Sequence, residues 1–347
     1  MAQVPDIQKY NTAPPRIGVS ARVGFLNHAK NRSVINMFGV QEELKRNVGK
    51  TLIFRRVQPF DMQANGAPGT INPDDFMLAE GVNPPSYSVK FTDVSAHIKH
   101  YGILFKHSKD TELLYEDDIK AVHKKQVGEA MANISEMLMW GVVIGGTVVD
   151  YSNGSSRGQV NTPIRLEQLR RATRTLENAR ASEVTSMLAP SANYDTSAIE
   201  PGYIVLIHTD QEADVEDLSG FVPSIKYGSR QKIHDRELGA VGRYRFITAP
   251  HFTYWANAGA AVGANGVKST NGTNADVYPA IVMAEEAWGN VALKGYGSVN
   301  PVVHPADPSK ADPLGQYGLT GASFWQAPIR LNENWMVRLE AAVSNLA

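Results

Sequence analysis

Apolar and polar positions alternate with a period of two in two stretches of the first third of the chain. Thr51–Val57 (TLIFRRV) is rich in β-branched and aromatic residues, and between Tyr87 and Phe105 the positions Val89, Phe91, Val94, Ala96 and Ile98 mostly keep the same period. Both predict strands. Between them, Asp61–Ser86 carries Asn65-Gly66, Pro68-Gly69, Asn72-Pro73, Gly81 and Pro84-Pro85, one turn signal after another. The pattern predicts a long hairpin with a turn-rich tip. A two-stranded ribbon is marginal in water, and its edges offer unpaired backbone groups. It therefore needs a cover, either a packed domain of the same chain or a neighbouring subunit.

The period then changes to that of a helix. From about Glu116 to Trp140, the residues Ile119, Val122, Val127, Ala130, Met131, Ile134, Met137 and Leu138 recur mostly at steps of three and four. Glu116, Asp117 and Asp118 favour the N-terminal end through the helix dipole. At 1.5 Å per residue this helix is roughly 40 Å long, enough to serve as the spine of a domain. A second helix is predicted from Thr162-Pro163, with Leu166, Leu169, Ala172, Leu176 and Ala179 as its buried stripe and Arg165, Arg170, Arg171, Arg174 and Arg180 mostly elsewhere around it. Gly202–His208 (GYIVLIH) is a short, nearly continuous apolar run, the mark of a strand buried on both faces. It leads into Thr209–Glu212 (TDQE), which reads as a capping box opening a short acidic helix. Further strands are predicted at Tyr244–Thr248, Tyr278–Met283 and Trp335–Val343, the last with Trp335, Val337, Leu339, Ala341 and Val343 on one face. Asn257–Asp276, rich in glycine, alanine and asparagine, reads as an exposed loop insertion, and residues 1–35 as an extended arm ordered only if something else holds it. The class is α+β, with helices and mostly antiparallel strands mixed irregularly.

Composition narrows the function. The 347 residues are 43% hydrophobic and 20% charged, which permits a sizeable core, and the net charge of −1 lacks the basic excess of a dedicated nucleic-acid binder. With no cysteine there is no disulfide, thiolate metal site or cysteine nucleophile. Met1–Gly18 has no apolar run and reads as neither a signal nor a transit peptide. Met137–Val149 is too short and too broken by glycine to span a bilayer, so no membrane association is expected.

Candidate chemistry is sparse. No P-loop, nucleophile elbow or H-E-x-x-H helix is present. His97 and His100 on one strand would face opposite ways. His208, His234 and His251 could form a three-histidine zinc site, but nothing in their spacing selects it. Asp210, Glu212, Asp214, Glu216 and Asp217 lack the glycine and spacing of a calcium loop. Asp74-Asp75 and Glu285-Glu286 are adjacent pairs on turns, poorly suited to acid–base work. No catalytic, cofactor-binding or metal-binding residue is assigned, and no cofactor is expected.

Three ordered stretches carry a family resemblance. They are Gly49–Arg56 (GKTLIFRR) followed by Leu78–Pro85 (LAEGVNPP), then Phe91–Gly102 (FTDVSAHIKHYG), then His208–Leu218 leading through Gly239–Arg243 to Tyr244–Pro250. Over residues 30–343 the chain resembles the major capsid proteins of tailed double-stranded-DNA bacteriophages, specifically the coliphage N-four-like capsid family. The resemblance implies the Hong Kong 97-like fold. It would make residues 1–50 the N-terminal arm, 51–105 the extended loop hairpin, 106–199 the peripheral domain with its spine helix, 200–300 the axial domain, and 301–347 the return to the peripheral domain. It implies a structural subunit and not an enzyme, assembled in the host bacterial cytoplasm into the icosahedral shell of the virion. Implied partners are copies of itself as pentamers and hexamers, a portal protein, a separate scaffolding protein, a possible decoration or cement protein, and packaged double-stranded DNA held without sequence specificity. An encapsulin-type nanocompartment shares the fold and is the alternative; a metal-dependent hydrolase using the acidic or histidine residues is the alternative from another class.

Overall fold

Strands and helices follow one another as β1 (Val40–Leu44), β2 (Thr51–Val57), β3 (Phe91–His97), β4 (Lys99–Ser108), α1 (Lys109–Leu114), α2 (Ile119–Val143), β5 (Val149–Tyr151), α3 (Leu166–Asn178) and β6 (Tyr203–His208). The rest are α4 (Glu212–Glu216), β7 (Phe221–Pro223), β8 (Glu237–Val241), β9 (Tyr244–Ala249), β10 (Tyr278–Met283), β11 (Trp288–Leu293), β12 (Asn300–His304), β13 (Tyr317–Arg330) and β14 (Met336–Ala341). The structure, a computed structural model, describes residues 34–58, 73–78, 80–81, 83, 86–114, 118–184, 201–227, 232–263, 266–296, 300–308 and 312–346. The predicted arm up to residue 33 and most of the predicted hairpin tip lie outside the described residues.

A seven-stranded mixed sheet runs in the order β5-β14-β10-β6-β9-β8-β7. As its nearly continuous apolar run predicts, every residue of β6 is buried. Its odd and even positions enter two different cores. Ile204 and Leu206 join Ile281, Met283 and Met336 above Met139, Trp140 and Val143 of α2. Val205 and Ile207 join Val282, Val337 and Leu339 above Leu169, Ala172 and Leu176 of α3. The sheet is thus covered by the end of one helix and the length of another.

A second sheet has the order β1-β11-β13-β12, with β4 also paired to β13. The first half of α2 lies on it, Val127 and Met131 packing against Ala322, Phe324, Tyr101, Ile103 and Phe105. So α2 spans both sheets, and its ends are shifted from the predicted ones. It begins at Ile119, where the Asp118 carboxylate accepts the Ala121 amide (3.1 Å), and residues 116–117 lie outside the described residues. Its last carbonyls are taken by two arginines: Arg330 Nη1 donates to Val142 O (2.7 Å), and Arg338 Nη1 to Gly146 O (3.1 Å). Cations are favoured there because unpaired carbonyls gather at a helix C-terminus. The buried stripe also differs from the predicted one. Met137 is exposed, whereas Glu136, Met139 and Trp140 are buried. The partner of the helix changes halfway, from the second sheet to the seven-stranded one, and the buried face rotates with it.

Other elements depart from expectation for identifiable reasons. Helix α3 starts at Leu166, not at Thr162. The Thr162 hydroxyl is held by Ser152 (3.1 Å) and Asn153 (3.0 Å), and its carbonyl accepts the Ala342 amide (2.9 Å), so the residue clasps a loop and caps nothing. The capping box lies one residue earlier than predicted: His208 Nδ1 accepts the Asp210 amide (3.0 Å), and Gln211 Oε1 accepts the His208 amide (3.2 Å). The segment 257–276 is not a simple exposed insertion. Asp276 is fully buried and accepts the Asn257 and Thr270 amides (2.7 and 3.2 Å) and the Thr270 hydroxyl (2.8 Å). Val267 and Ala275 join Val160, Val277 and Ala342 in a small core beneath it. This carboxylate, the small core and backbone bonds such as Gly259 N to Ala275 O (2.9 Å) supply order that periodicity could not reveal.

The stretch predicted as one strand from Tyr87 to Phe105 is two strands in two sheets. β3 pairs only with β2, antiparallel, with Thr51 opposite His97 and Val57 opposite Phe91. At Ile98 the chain leaves the hairpin: its amide donates to Lys50 O (2.9 Å) and its side chain is buried with Leu44, Ala96, Val291 and Ala327. β4 then continues along β13. Of the final segment, β12 and β13 lie beside α2, while β14 enters the seven-stranded sheet.

Candidate assembly surfaces

The hairpin has one face covered by its own chain and one that is not. Leu52, Phe54 and Ala96 point inward and pack near Leu44, Val291, Ala327, Trp325 and Ile329. Ile53, Val57 and Phe91 point outward and are 58%, 55% and 57% exposed. Strict alternation along both strands produces this split. Arg55 bridges across to Asp93 through two hydrogen bonds of 2.8 Å on the outer face, which aligns the strands; its guanidinium lies 5.6 Å from the Phe91 ring centroid and still leaves that ring more than half exposed. The loop joining the strands adds charge: between Arg56 and Lys90 the sequence has Asp61, Asp74, Asp75 and Glu80 and no lysine or arginine.

The second sheet also has an open face. Ile103, Phe105, Ala322 and Phe324 face α2, so the residues between them face away. On that side Leu104, Gly321 and Val302 form one cross-strand row, and Lys106, Leu319 and His304 form the next. Farther along the same side of β13, Trp325, Ala327 and Ile329 lie under the hairpin root. The hairpin stops there, and Leu104 and Val302 are left 63% and 53% exposed. Gly321 fits its place because a Cβ there would stand 2.9 Å from Ile103 O and from Leu104 Cδ1. The open half is therefore shallow and apolar, with Lys106 and His304 at its rim.

The arginines of α3 divide. Arg171 is paired to Asp150 (2.9 and 3.0 Å) and to Tyr151 O (3.1 Å) within the chain. Arg165, Arg170 and Arg174 are exposed. Arg180 follows the helix in the left-handed region at φ 55°.

The histidines and carboxylates with chemical potential are scattered. His97 bonds to Thr51 Oγ1 (2.9 Å), while His100 stacks on Trp325 with ring centroids 4.4 Å apart, in a different sheet. His234 Nδ1 accepts the Arg236 amide (3.1 Å), His251 lies 3.5 Å from Glu136, and His208 acts as a cap. Asp210 takes Lys268 Nζ (2.6 Å) and Tyr278 Oη (2.8 Å), and Asp214 accepts the Ser344 amide (3.0 Å). Glu212 flanks Asp210 in a shallow pocket, and Glu216 and Asp217 are exposed. Asp74 and Asp75 lie in the 3₁₀ turn Pro73–Phe76, and Glu285 and Glu286 in the turn between β10 and β11. Among the described residues no three histidine or carboxylate side chains converge as a metal site would require. Among the described residues, sequence reasoning missed five buried carboxylates, Glu136, Glu237, Asp276, Asp312 and Glu340. Glu340 alone stands between two apolar residues, Leu339 and Ala341, in a predicted strand, an incongruity that could have marked it.

Burial depresses the pKa of His208 against the opposing pull of Asp210, and burial followed by the nearby His107 depresses that of His123. A histidine whose folded pKa lies below its unfolded value, about 6.5, binds protons preferentially in the unfolded chain. Its contribution to stability is complete above that value and is lost as pH falls toward the folded pKa. The urea midpoint is expected to drop as pH falls below about 6.5. His208→Asn, which keeps a capping acceptor, is expected to remove part of that drop while leaving the midpoint at pH 8 nearly unchanged.

No family profile matches the chain, and no curated protein is significantly similar to it in sequence. Solved structures are similar over almost its full length. A chain of the capsid of Ralstonia phage GP4 superposes with a TM-score of 0.66 at 11% identity, covering 96% of this chain and 98% of that one. A chain of the head of Helicobacter pylori bacteriophage KHP40 gives 0.62 at 10% identity, covering 99% of each. A chain of the cyanophage Pam1 capsid gives 0.57 at 12% identity, covering 99% and 100%. From the spine helix to the last strand, the chain has the Hong Kong 97-like fold of tailed-phage capsids.

Proposed function

We propose that this chain is the major capsid protein of a tailed double-stranded-DNA bacteriophage, a structural subunit whose copies close into an icosahedral shell around the genome. The observation that carries the reading is the likeness of fold to phage capsid chains over 95% or more of both chains in the first two structures cited. Such shells are built on pentamers and hexamers. In them residues 1–50 serve as an arm, 51–105 as the extended loop, 106–199 as the peripheral domain, 200–300 as the axial domain, and 301–347 return to the peripheral domain. The outward face of the hairpin docks on the next copy, and the open half of the second sheet is a matching receiver. An acidic tip meeting a rim with Lys106 and His304 gives that contact its direction. A portal protein, a separate scaffolding protein and packaged DNA are the remaining partners, assembly takes place in the host cytoplasm, and the mature location is the virion. Placement in the coliphage N-four-like group rests on the ordered sequence stretches. The similar solved structures come from phage particles, which favours a genome container over an encapsulin-type compartment.

Electron microscopy of the purified chain, alone and co-expressed with a scaffolding protein, tests the reading. Closed icosahedral particles are expected, and soluble monomers under every condition would refute it. A related expectation concerns α3. Reversing Arg170 and Arg174 to glutamate should lower particle yield severalfold and leave the melting temperature unchanged, because both side chains are exposed and changes at such sites usually alter stability by less than about 0.5 kcal/mol. Unchanged yield would remove that face of α3 from the contacts between copies.

A further inference from the structure

Glu136 is a carboxylate in the wrong place for a spine helix. It is 3% exposed, in a part of α2 whose other buried residues are Met139, Trp140 and Val143. An ionised group is retained in such surroundings only where it is paired and hydrogen-bonded. Its Oε1 accepts two backbone amides, those of Val34 and Ile35, each at 2.8 Å. His251 Nε2 stands 3.5 Å from the same oxygen. Val34 and Ile35 are themselves fully buried and open the 3₁₀ turn Ile35–Phe38, whose N-cap residue, Val34, makes no side-chain cap bond of its own. Everything N-terminal to this point belongs to the predicted arm.

We infer that Glu136 is a positioning residue for assembly: it pins the root of the N-terminal arm to the spine helix, and so fixes where the arm leaves the subunit and in which direction. The inference rests on the capsid reading above for its link to assembly, and on geometry alone for the latch. Two charge-assisted bonds to adjacent amides fix an orientation as well as a position, which apolar packing of Val34 and Ile35 does not do. The helix that carries Glu136 is also joined to the seven-stranded side of the subunit, through Trp140 stacked on Phe252 (ring centroids 4.1 Å apart) and bonded to Thr253 (2.8 Å). The arm root is therefore held by the same rigid element that relates the two sheets.

Three variants test this. Glu136→Met keeps length and apolar packing while leaving the two buried amides without their acceptor. Glu136→Gln keeps an acceptor for both amides, and Glu136→Ala removes acceptor and volume together. Hydrogen–deuterium exchange at Val34 and Ile35 is the direct readout. Exchange is expected to be at least tenfold faster in Glu136→Met than in the wild type, with exchange in β6 and β10 unchanged, and intermediate in Glu136→Gln. Particle yield under the same conditions should fall in the same order. Protection of both amides in Glu136→Met equal to the wild type overturns the latch. Faster exchange with full particle yield overturns its role in assembly. A wild-type chain that forms no particles refutes the capsid reading but leaves the exchange result to judge the latch.

Discussion

Replacing Ile53 and Phe91 together by aspartate is expected to leave a folded subunit that forms no closed particles. Both side chains lie on the outer face of the hairpin and are more than half exposed, so folding loses little beyond strand propensity, at most about 1 kcal/mol each. Assembly loses far more. Burying one large apolar side chain contributes about 1.5–3 kcal/mol, so the pair accounts for about 3–6 kcal/mol at each contact of the kind proposed. The substitution also places two unpaired carboxylates in that contact, each costing several kcal/mol more. Because every copy is both donor and receiver, the loss recurs around each ring of the shell. The measurement is a melting curve beside negative-stain images. A melting temperature within a few degrees of the wild type and no particles is the expected pair of results. Leu104→Asp on the open half of the second sheet should reproduce it from the receiving side. Normal particles from either variant would mean that these faces meet solvent in the shell.

The elements that periodicity found were those whose environment is uniform along their length. β6 and β10 are buried throughout, and a nearly continuous apolar run is enough to mark such a strand; β9 is equally buried although it carries Arg245 and Thr248. The hairpin strands β2 and β3 are covered on one face only, and alternation marks them equally well. Failures came where one element meets two environments. Ile98 continues the alternation of β3 into β4 without any sign that the partner strand changes from β2 to β13. The apolar stripe of α2 was misplaced at Met137 because the helix changes partners near Glu136. Segment 257–276 looked loose because much of its order comes from irregular contacts, among them Asp276 binding an amide 19 residues away and a small core around Val267 and Ala275. The candidate surfaces were half legible. The sequence required a cover for the hairpin, but not which face needed it, and the open row Leu104–Gly321–Val302 exists only once three strands are in register.

Glu340→Ala is expected to have the largest effect on stability of any single substitution considered for this chain. Glu340 lies at the centre of the seven-stranded sheet's edge region, in β14 between Pro279 of β10 and Tyr151 of β5, with its side chain fully buried. Arg157 donates to both carboxylate oxygens at 2.7 Å, and Arg338 adds a third bond at 2.9 Å. The Arg157 guanidinium also lies 3.5 Å over the Trp255 ring, tying the ordered segment 255–277 into the same network. Removing the carboxylate leaves two guanidinium groups facing each other without an anion. Breaking a buried pair from one side costs about 3–5 kcal/mol, a large share of the roughly 5–15 kcal/mol that holds a domain folded. Glu340→Gln keeps part of the hydrogen bonding and should cost less, about 1–3 kcal/mol. Urea unfolding gives both values from the shift in midpoint at constant slope. Equal, small shifts for the two variants would mean that the arginines find solvent easily and that the network adds little. If the shifts follow the expected order, Glu340→Ala should also reduce particle yield, but only in proportion to the unfolded fraction, which distinguishes it from the hairpin variant, whose yield is lost while the fold is kept.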